Sequence, residues 1–278
     1  MVNLIKFLKY LALGLIQGIT EPLPISSSGH MVILNSIFKD IIPIDAMNSF
    51  QIIVNFASLL AIIFFYRKII NELVSGSLSY VFKKDNQQKS KFIYVVYVLI
   101  ATIPAGIVGF IIKDYISHLT NILVVGICLF ITGLLLLYIH GIAKEAKREE
   151  VTLKDSLLMG SGQIFGLLPG ISRSGITTSF GVSNNLSLIS ALRFSFMMYI
   201  PVSIAAFVYD MLKTGISLEG YIPGYIGAFL ASLFGTYFAI NLFFKLVKNK
   251  NLKYFGYYCL SVSSIVLILI AFGVFQWR

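Results

Sequence analysis

Charge is what this sequence lacks most. Asp, Glu, Lys and Arg make up 12% of its 278 residues, against roughly 25% in soluble globular domains. Too few charged side chains remain to clothe a core of this size in water, which argues against a soluble protein. Cysteine is as sparse: Cys128 and Cys259 each lie inside an apolar run with no second pair or ligand cluster beside them. Neither a disulfide framework nor a thiolate metal site follows. A Walker loop is missing too, because neither Gly/Ser-rich segment of the chain ends in Gly-Lys-Ser/Thr. Base outweighs acid, 22 residues to 12, for a formal charge of +10. The basic residues fall in short segments between apolar runs and not along one soluble face, so they predict a membrane-flanking role and no nucleic-acid partner.

What the chain has in excess is apolar length. At 57% hydrophobic it carries runs such as Asn48 to Tyr66, Phe92 to Ile112, Leu119 to Ile139, Tyr221 to Phe244 and Tyr254 to Phe275. Each is close to the roughly 20 residues that span a bilayer core. Six basic residues fall in 67–91, four in 141–155 and four in 245–253, which assigns those loops to the cytoplasm. Loops 39–47, 113–119 and 213–220, with one lysine each (Lys39, Lys113, Lys213), go to the other side. Six crossings follow, at about 48–66, 92–112, 119–140, 190–212, 221–244 and 254–276. The amino terminus runs into Glu21-Pro22-Leu23-Pro24 in place of a small-residue cleavage site, and is expected to stay in the mature fold.

Two apolar segments are left over, about 4–38 and 156–188, each broken near its middle by Pro, Gly and Ser. Irregular backbone at membrane depth is tolerated only where protein buries it or a wet cavity solvates it. Both segments are therefore predicted to be re-entrant helix-loop-helix hairpins. A shift of 146 residues lays Gln17–Gly29 over Gln163–Gly175 with five identities in thirteen positions. The expected fold is an all-α polytopic membrane protein built as an inverted-topology repeat. Its first half is 1–140, its cytoplasmic connector 141–155 and its second half 156–278. In such repeats the site lies at the interface of the halves, on the broken helices.

Ionisable residues at membrane depth are costly and by default functional, and apart from Lys6 and Lys9 near the start of the first, expected near the outer face, the two hairpins hold few: Glu21, His30 and Arg173. In Glu21-Pro-Leu-Pro-Ile-Ser-Ser-Ser-Gly-His30 the prolines stop one helix and the Ser26–Ser28 hydroxyls can cap the next. A helix amino terminus ringed by hydroxyls suits an anion. In Pro169-Gly-Ile-Ser-Arg-Ser-Gly-Ile-Thr177, glycines admit an oxyanion close to backbone amides, and Arg173 presents a planar fork to phosphate. Together they point to phosphate handling. The plainer account, a Glu21–Arg173 pair that only clips the hairpins together, stands beside it. His118 and His140 sit at span borders, Arg193 at the start of a crossing; all three are expected outside the site.

At these residues the chain resembles the undecaprenyl-diphosphate phosphatase family of the bacitracin-resistance type. Gln17-x-x-x-Glu21, Pro24-Ile-Ser-Ser-Ser-Gly-His30 and Pro169-Gly-Ile-Ser-Arg-Ser-Gly-Ile-Thr177 carry the likeness, which extends over essentially the whole chain. It implies a multi-pass enzyme of the bacterial inner membrane. Such an enzyme removes the terminal phosphate of a polyprenyl diphosphate, regenerating the lipid carrier for cell-wall polymers; because the first hairpin enters from outside, the site is expected to open to the extracytoplasmic side. By the same resemblance Glu21, Ser27, His30 and Arg173 are catalytic, and Ser26, Ser172, Ser174 and Thr177 contact phosphate; Ser28 and Gly170, within the anion-binding breaks, are expected to contact it too. The family admits Glu or Gln at its first position; Gln17 leaves Glu21 as the sole carboxylate. Glu21 is expected to hold a divalent cation, Mg²⁺ or Ca²⁺, with diphosphate oxygens, or to act as a general base. The nucleophile is Ser27 activated by His30 one helical turn later, or His30 itself, or water; the first is favoured. Beyond its lipid substrate and the surrounding membrane lipids, a homodimer is compatible with the sequence. The rival function is a polyprenyl-phosphate transporter, since broken helices in inverted repeats also build carriers.

Overall fold

The computed structural model describes residues 2–37, 42, 44–213, 215, 221–248 and 251–275. Much of the expected outer loops 39–47 and 213–220 lies outside them, as does the side chain of His118. The described residues form α1 (Val2–Thr20), α2 (Ser27–Ile37), α3 (Ile44–Lys83), α4 (Lys89–Leu119), α5 (Ile122–Ile142), α6 (Leu153–Phe165), α7 (Arg173–Ser183), α8 (Leu188–Lys213), α9 (Ile222–Lys248) and α10 (Lys253–Ala271). Six of these, α3, α4, α5, α8, α9 and α10, are long and apolar enough to cross a membrane. The order is thus two helices joined by a short break, then three long helices, twice over.

One boundary differs from expectation. Residues 67–91, read as a loop, are mostly helix: α3 runs on to Lys83 and α4 begins at Lys89, with a 3₁₀ turn at Asn86–Gln88 between them. At about 1.5 Å per residue, the 40 residues of α3 reach some 60 Å, twice the thickness of a bilayer core. Past Tyr66 the sequence becomes polar without a proline, so nothing stops the helix. The chain reverses only where Lys84 takes φ 56° and Asp85 caps the turn by accepting from the Gln87 amide at 3.0 Å.

Small residues set how closely the elements approach. A Cβ on Gly14 would stand 2.6 Å from Ala228 Cα, and one on Gly18 2.7 Å from Ser232 Cα. This Gly-x-x-x-Gly stripe lets α1 pack backbone to backbone on α9, the usual device where lipid supplies no hydrophobic drive between helices. Beside it Ser58 and Ser232 share a hydrogen bond of 2.9 Å, and Thr236 Oγ1 donates to Ser58 Oγ at 2.9 Å. The ladder fastens α9 to α3, so α1 rests on a fixed wall. The main apolar core gathers around α8, through buried Leu192, Phe194, Met198 and Phe243.

The connector 141–155 is ordered by one buried carboxylate. Asp155 is fully buried, and Arg148 grips it through two bonds of 2.6 and 2.7 Å. Asn184 donates to it at 2.7 Å, and Thr152 completes a capping box at the start of α6. Burial alone would push the Asp155 carboxyl up; the hydrogen bonds from Arg148, Asn184 and Thr152 outweigh it and hold the group at about 2. The same Arg148 exchanges backbone bonds with Asn185 and Ser187 at 3.1 and 2.7 Å, so both ends of the α6–α7 pair are tied to the connector.

Candidate active site

Two breaks meet tip to tip. Pro22 and Pro24 lack the amide hydrogens that would continue α1, and the chain turns through Ser26 at φ 67°, a left-handed conformation that a non-glycine residue holds at a cost of about 1–3 kcal/mol. Its own hydroxyl offsets that strain: Ser26 Oγ accepts from the Gly29 amide at 3.3 Å and, across the gap, from the Gly170 amide at 3.1 Å. In the second break Gly170 takes φ 98°. A Cβ on Gly29 would lie 3.0 Å from Gly170 Cα, so there the backbones of the two tips come into direct contact. Ser172 caps α7 by accepting from the Gly175 amide at 3.1 Å. Ser26 and Ser28 approach to 3.3 Å, and their repeat equivalents Ser172 and Ser174 to 3.4 Å.

The charged pair joins the breaks. Arg173 Nη2 donates to Glu21 Oε1 at 2.6 Å, and the side chains are 28% and 7% exposed. Glu21 Oε2 accepts from Ser27 Oγ at 2.5 Å and from Gln17 Nε2 at 2.9 Å. Gln17 spends its other amide hydrogen on Asn55 Oδ1 at 2.6 Å, which anchors the group to α3. The Arg173 guanidinium lies 4.0 Å from the centre of the Tyr199 ring, a cation–π contact that orients its fork. One serine, one carboxylate and one arginine thus form a continuous chain of short hydrogen bonds spanning both halves.

A cavity of about 450 Å³ opens over this chain, within the range typical of small-ligand sites. Glu21, Ser26, Ser27, Ser28, Ser172, Arg173 and Ser174 line one side, and Met31, Ile52, Phe56, Val202 and Phe207 supply apolar wall. Polar oxygens and an arginine beside a hydrocarbon surface match a headgroup carrying a lipid tail.

The structure does not bring every expected residue to this wall. The favoured Ser27–His30 hydrogen bond is not formed. Side chains on a helix lean toward its amino terminus, and Ser27, first in α2, leans onto Glu21. His30 turns instead to Ser26: Nδ1 lies 2.8 Å from the Ser26 carbonyl and Nε2 2.8 Å from the Tyr258 hydroxyl. A carbonyl only accepts, so a neutral His30 carries its proton on Nδ1 and accepts from Tyr258. Thr177 is fully buried and donates to the Arg173 carbonyl at 2.9 Å, bracing the arginine from behind. Neither His30, Thr177, Gly170, Arg193 nor His140 lines the cavity.

Four residues with a part in the geometry were not picked out from the sequence. Asn55 orients Gln17, Tyr258 holds His30, and Tyr199 carries the guanidinium. Thr132, buried on α5, donates to the Gly170 carbonyl at 2.9 Å and accepts from the Ser172 amide at 3.1 Å, fixing the loop that presents Arg173. Each is a polar or amphipathic side chain inside a long apolar run, and that was the available signal.

Among the described residues no group of three or more His, Cys, Asp or Glu could hold a metal. Glu21 receives three donors where a carboxylate offers roughly four acceptor positions. With Ser27 Oγ and Asn55 Oδ1 beside the Glu21 carboxylate, the atoms that could ligate a cation are all hard oxygens. They fit Mg²⁺ or Ca²⁺ only as a cation completed by substrate oxygens and water.

The sequence model of the family described as Bacitracin resistance protein BacA matches residues 10–265. The chain is 40% identical to Undecaprenyl-diphosphatase 2 of Bacillus thuringiensis (strain Al Hakam) over 267 residues, 95% of this chain and 97% of that one. It is also 40% identical to Undecaprenyl-diphosphatase of Oceanobacillus iheyensis over 275 residues, 96% and 98% of the two chains. Against Undecaprenyl-diphosphatase 1 of Halalkalibacterium halodurans the identity is 40% over 268 residues. Matched over nearly its whole length by the family and by such relatives, the chain belongs to the BacA bacitracin-resistance family.

Proposed function

We propose that this protein is a membrane-embedded phosphatase that hydrolyses undecaprenyl diphosphate to undecaprenyl phosphate and inorganic phosphate, recycling the carrier for cell-wall polymers. The observation that carries the reading is the Ser27–Glu21–Arg173 chain, with bonds of 2.5 and 2.6 Å. A hydroxyl already hydrogen-bonded to a carboxylate is poised to lose its proton as it attacks. An arginine beside it offers charge to the phosphoryl group in transfer. A carrier needs the anion site but not the poised hydroxyl.

In the proposed sequence the terminal phosphate enters between Ser27 and Arg173 and draws the guanidinium from Glu21. Glu21 takes the Ser27 proton as Oγ bonds to phosphorus. The bond to the bridging oxygen breaks, and undecaprenyl phosphate leaves with that electron pair. Glu21 sheds the proton to water. It then deprotonates a water that attacks phosphoserine and returns the proton to the departing Ser27 oxygen, leaving inorganic phosphate. The hydroxyls of Ser26, Ser28, Ser172 and Ser174 hold the non-bridging oxygens, while His30 and Thr177 position the two helix starts. Glu21 is the residue that would hold a divalent cation. When bound, that cation offsets diphosphate charge.

The two halves are proposed to lie inverted in a bacterial inner membrane with the cavity open to the extracytoplasmic side. Inorganic phosphate release from undecaprenyl diphosphate by purified protein in detergent, with Mg²⁺ or Ca²⁺ and with chelator, tests the activity. Release by the wild type that disappears in Glu21→Gln supports it. Lipid binding without release would favour a carrier.

A further inference from the structure

One buried polar group is not used by this chemistry. Gln163, near the end of α6, is 2% exposed, yet neither its Nε2 nor its Oε1 has a hydrogen-bond partner. It lines the same cavity as Glu21 and Arg173. A buried amide with both ends unsatisfied is unfavourable unless something absent from the protein itself completes it.

The repeat says what that is. Gln163 is the equivalent of Gln17 at the shift of 146 residues. Gln17 has its acceptors in Glu21 and Asn55. In the second half the position of Glu21 is taken by Leu167, which also lines the cavity and accepts nothing. The second half thus has the amide without an anionic partner. Gln163 also sits beside the anion-binding helix start. One turn on, Gly166 packs so tightly on α7 that a Cβ there would be 3.0 Å from Arg173 Cα.

We propose that Gln163 is a phosphate-binding residue, whose Nε2 donates to an oxygen of the phosphate held by Arg173, replacing in the second half the carboxylate that Gln17 meets in the first. This rests on the phosphatase reading and adds a determinant of substrate affinity to it. The donor is made in the ground state as well as the transition state, so its loss acts chiefly on KM.

The test is steady-state hydrolysis of undecaprenyl diphosphate by the wild type, Gln163→Leu and Gln163→Met. It is paired with the Kd of each for a polyprenyl methylenediphosphonate, which has no hydrolysable bridge. Both variants keep the length and bulk of the side chain and remove the amide. The expected result is a KM and a Kd each raised about tenfold, the worth of roughly one hydrogen bond to a charged group, with kcat changed less and thermal stability in detergent equal or higher. An unchanged Kd and KM in a folded variant, whatever happens to kcat, overturns the proposal and leaves Gln163 as packing. If leucine prevents folding, methionine decides. A wild type that binds the analogue but releases no phosphate refutes the phosphatase reading, while the Kd comparison still decides the role of Gln163.

Discussion

Thr132→Val is the sharpest probe of how the site is held together. Valine has the shape of threonine without the hydroxyl, so the packing of α5 survives while two bonds vanish, those to the Gly170 carbonyl at 2.9 Å and from the Ser172 amide at 3.1 Å. Thr132, Gly170 and Ser172 are all buried, so water does not replace the lost partner. Each orphaned backbone group costs about 1–3 kcal/mol, or about 2–6 kcal/mol for the pair if the loop stays in place. If the loop shifts to find other partners, the cost moves from stability to rate. Arg173 begins one residue beyond Ser172, and a displacement of about 1 Å at a reacting group can lower turnover by about 100-fold. Thermal unfolding in detergent and phosphate release from undecaprenyl diphosphate, measured on the same preparations, read both channels. Thr132→Ser, which keeps the hydroxyl, is expected to stay near wild type. A Thr132→Val protein with wild-type stability and wild-type turnover would refute the claim that this side chain fixes the loop.

Gly18→Val is expected to force α1 off α9, because even a Cβ would lie 2.7 Å from Ser232 Cα; poor accumulation in the membrane and lost activity check it. Arg148→Ala leaves the buried Asp155 carboxylate without its cation, a loss of about 3–5 kcal/mol seen in thermal unfolding. With its folded pKa held down at about 2 from an ordinary 3.8, Asp155 contributes stability that is complete above the ordinary value and is lost as pH falls toward 2; Asp155→Asn should flatten the acid limb of the stability profile. Tyr258→Phe removes the partner of His30 Nε2, and because His30 touches Ser26 and not Ser27, a few-fold fall in turnover is expected, with no phosphohistidine. A phosphohistidine at His30 would contradict that placement.

The crossings were legible because their signal is chemical: runs of about 20 apolar residues admit few alternatives to a spanning helix. The breaks between α1 and α2 and between α6 and α7 were legible because Pro22, Pro24, Pro169 and Gly170 interrupt apolar segments that could otherwise have been continuous. Residues 67–91 misled because the switch from apolar to basic marks where the chain leaves lipid, not where the helix stops. At the site, Glu21, His30 and Arg173 stood out as ionisable residues costly at depth, while Ser27 was singled out only through the family resemblance. The Glu21–Arg173 pair could be anticipated; the pairing of Ser27 with Glu21 could not. Helical spacing places Ser27 and His30 on one face, yet the direction of each side chain depends on partners far away in sequence, Glu21 for one and Tyr258 for the other. Thr132 and Asn55 stayed hidden for the same reason, since a lone hydroxyl or amide in an apolar run becomes informative only once its partner across the fold is known.

The central claim is that Ser27, with its proton on the way to Glu21, attacks the terminal phosphate that Arg173 holds. Rapid quenching of the enzyme after mixing with undecaprenyl diphosphate labelled in its terminal phosphate tests this most directly. The account predicts label bound to Ser27 before free phosphate accumulates, absent in Ser27→Ala and in Glu21→Gln. Free labelled phosphate with no labelled protein at any time, together with substantial turnover by Ser27→Ala, would contradict it.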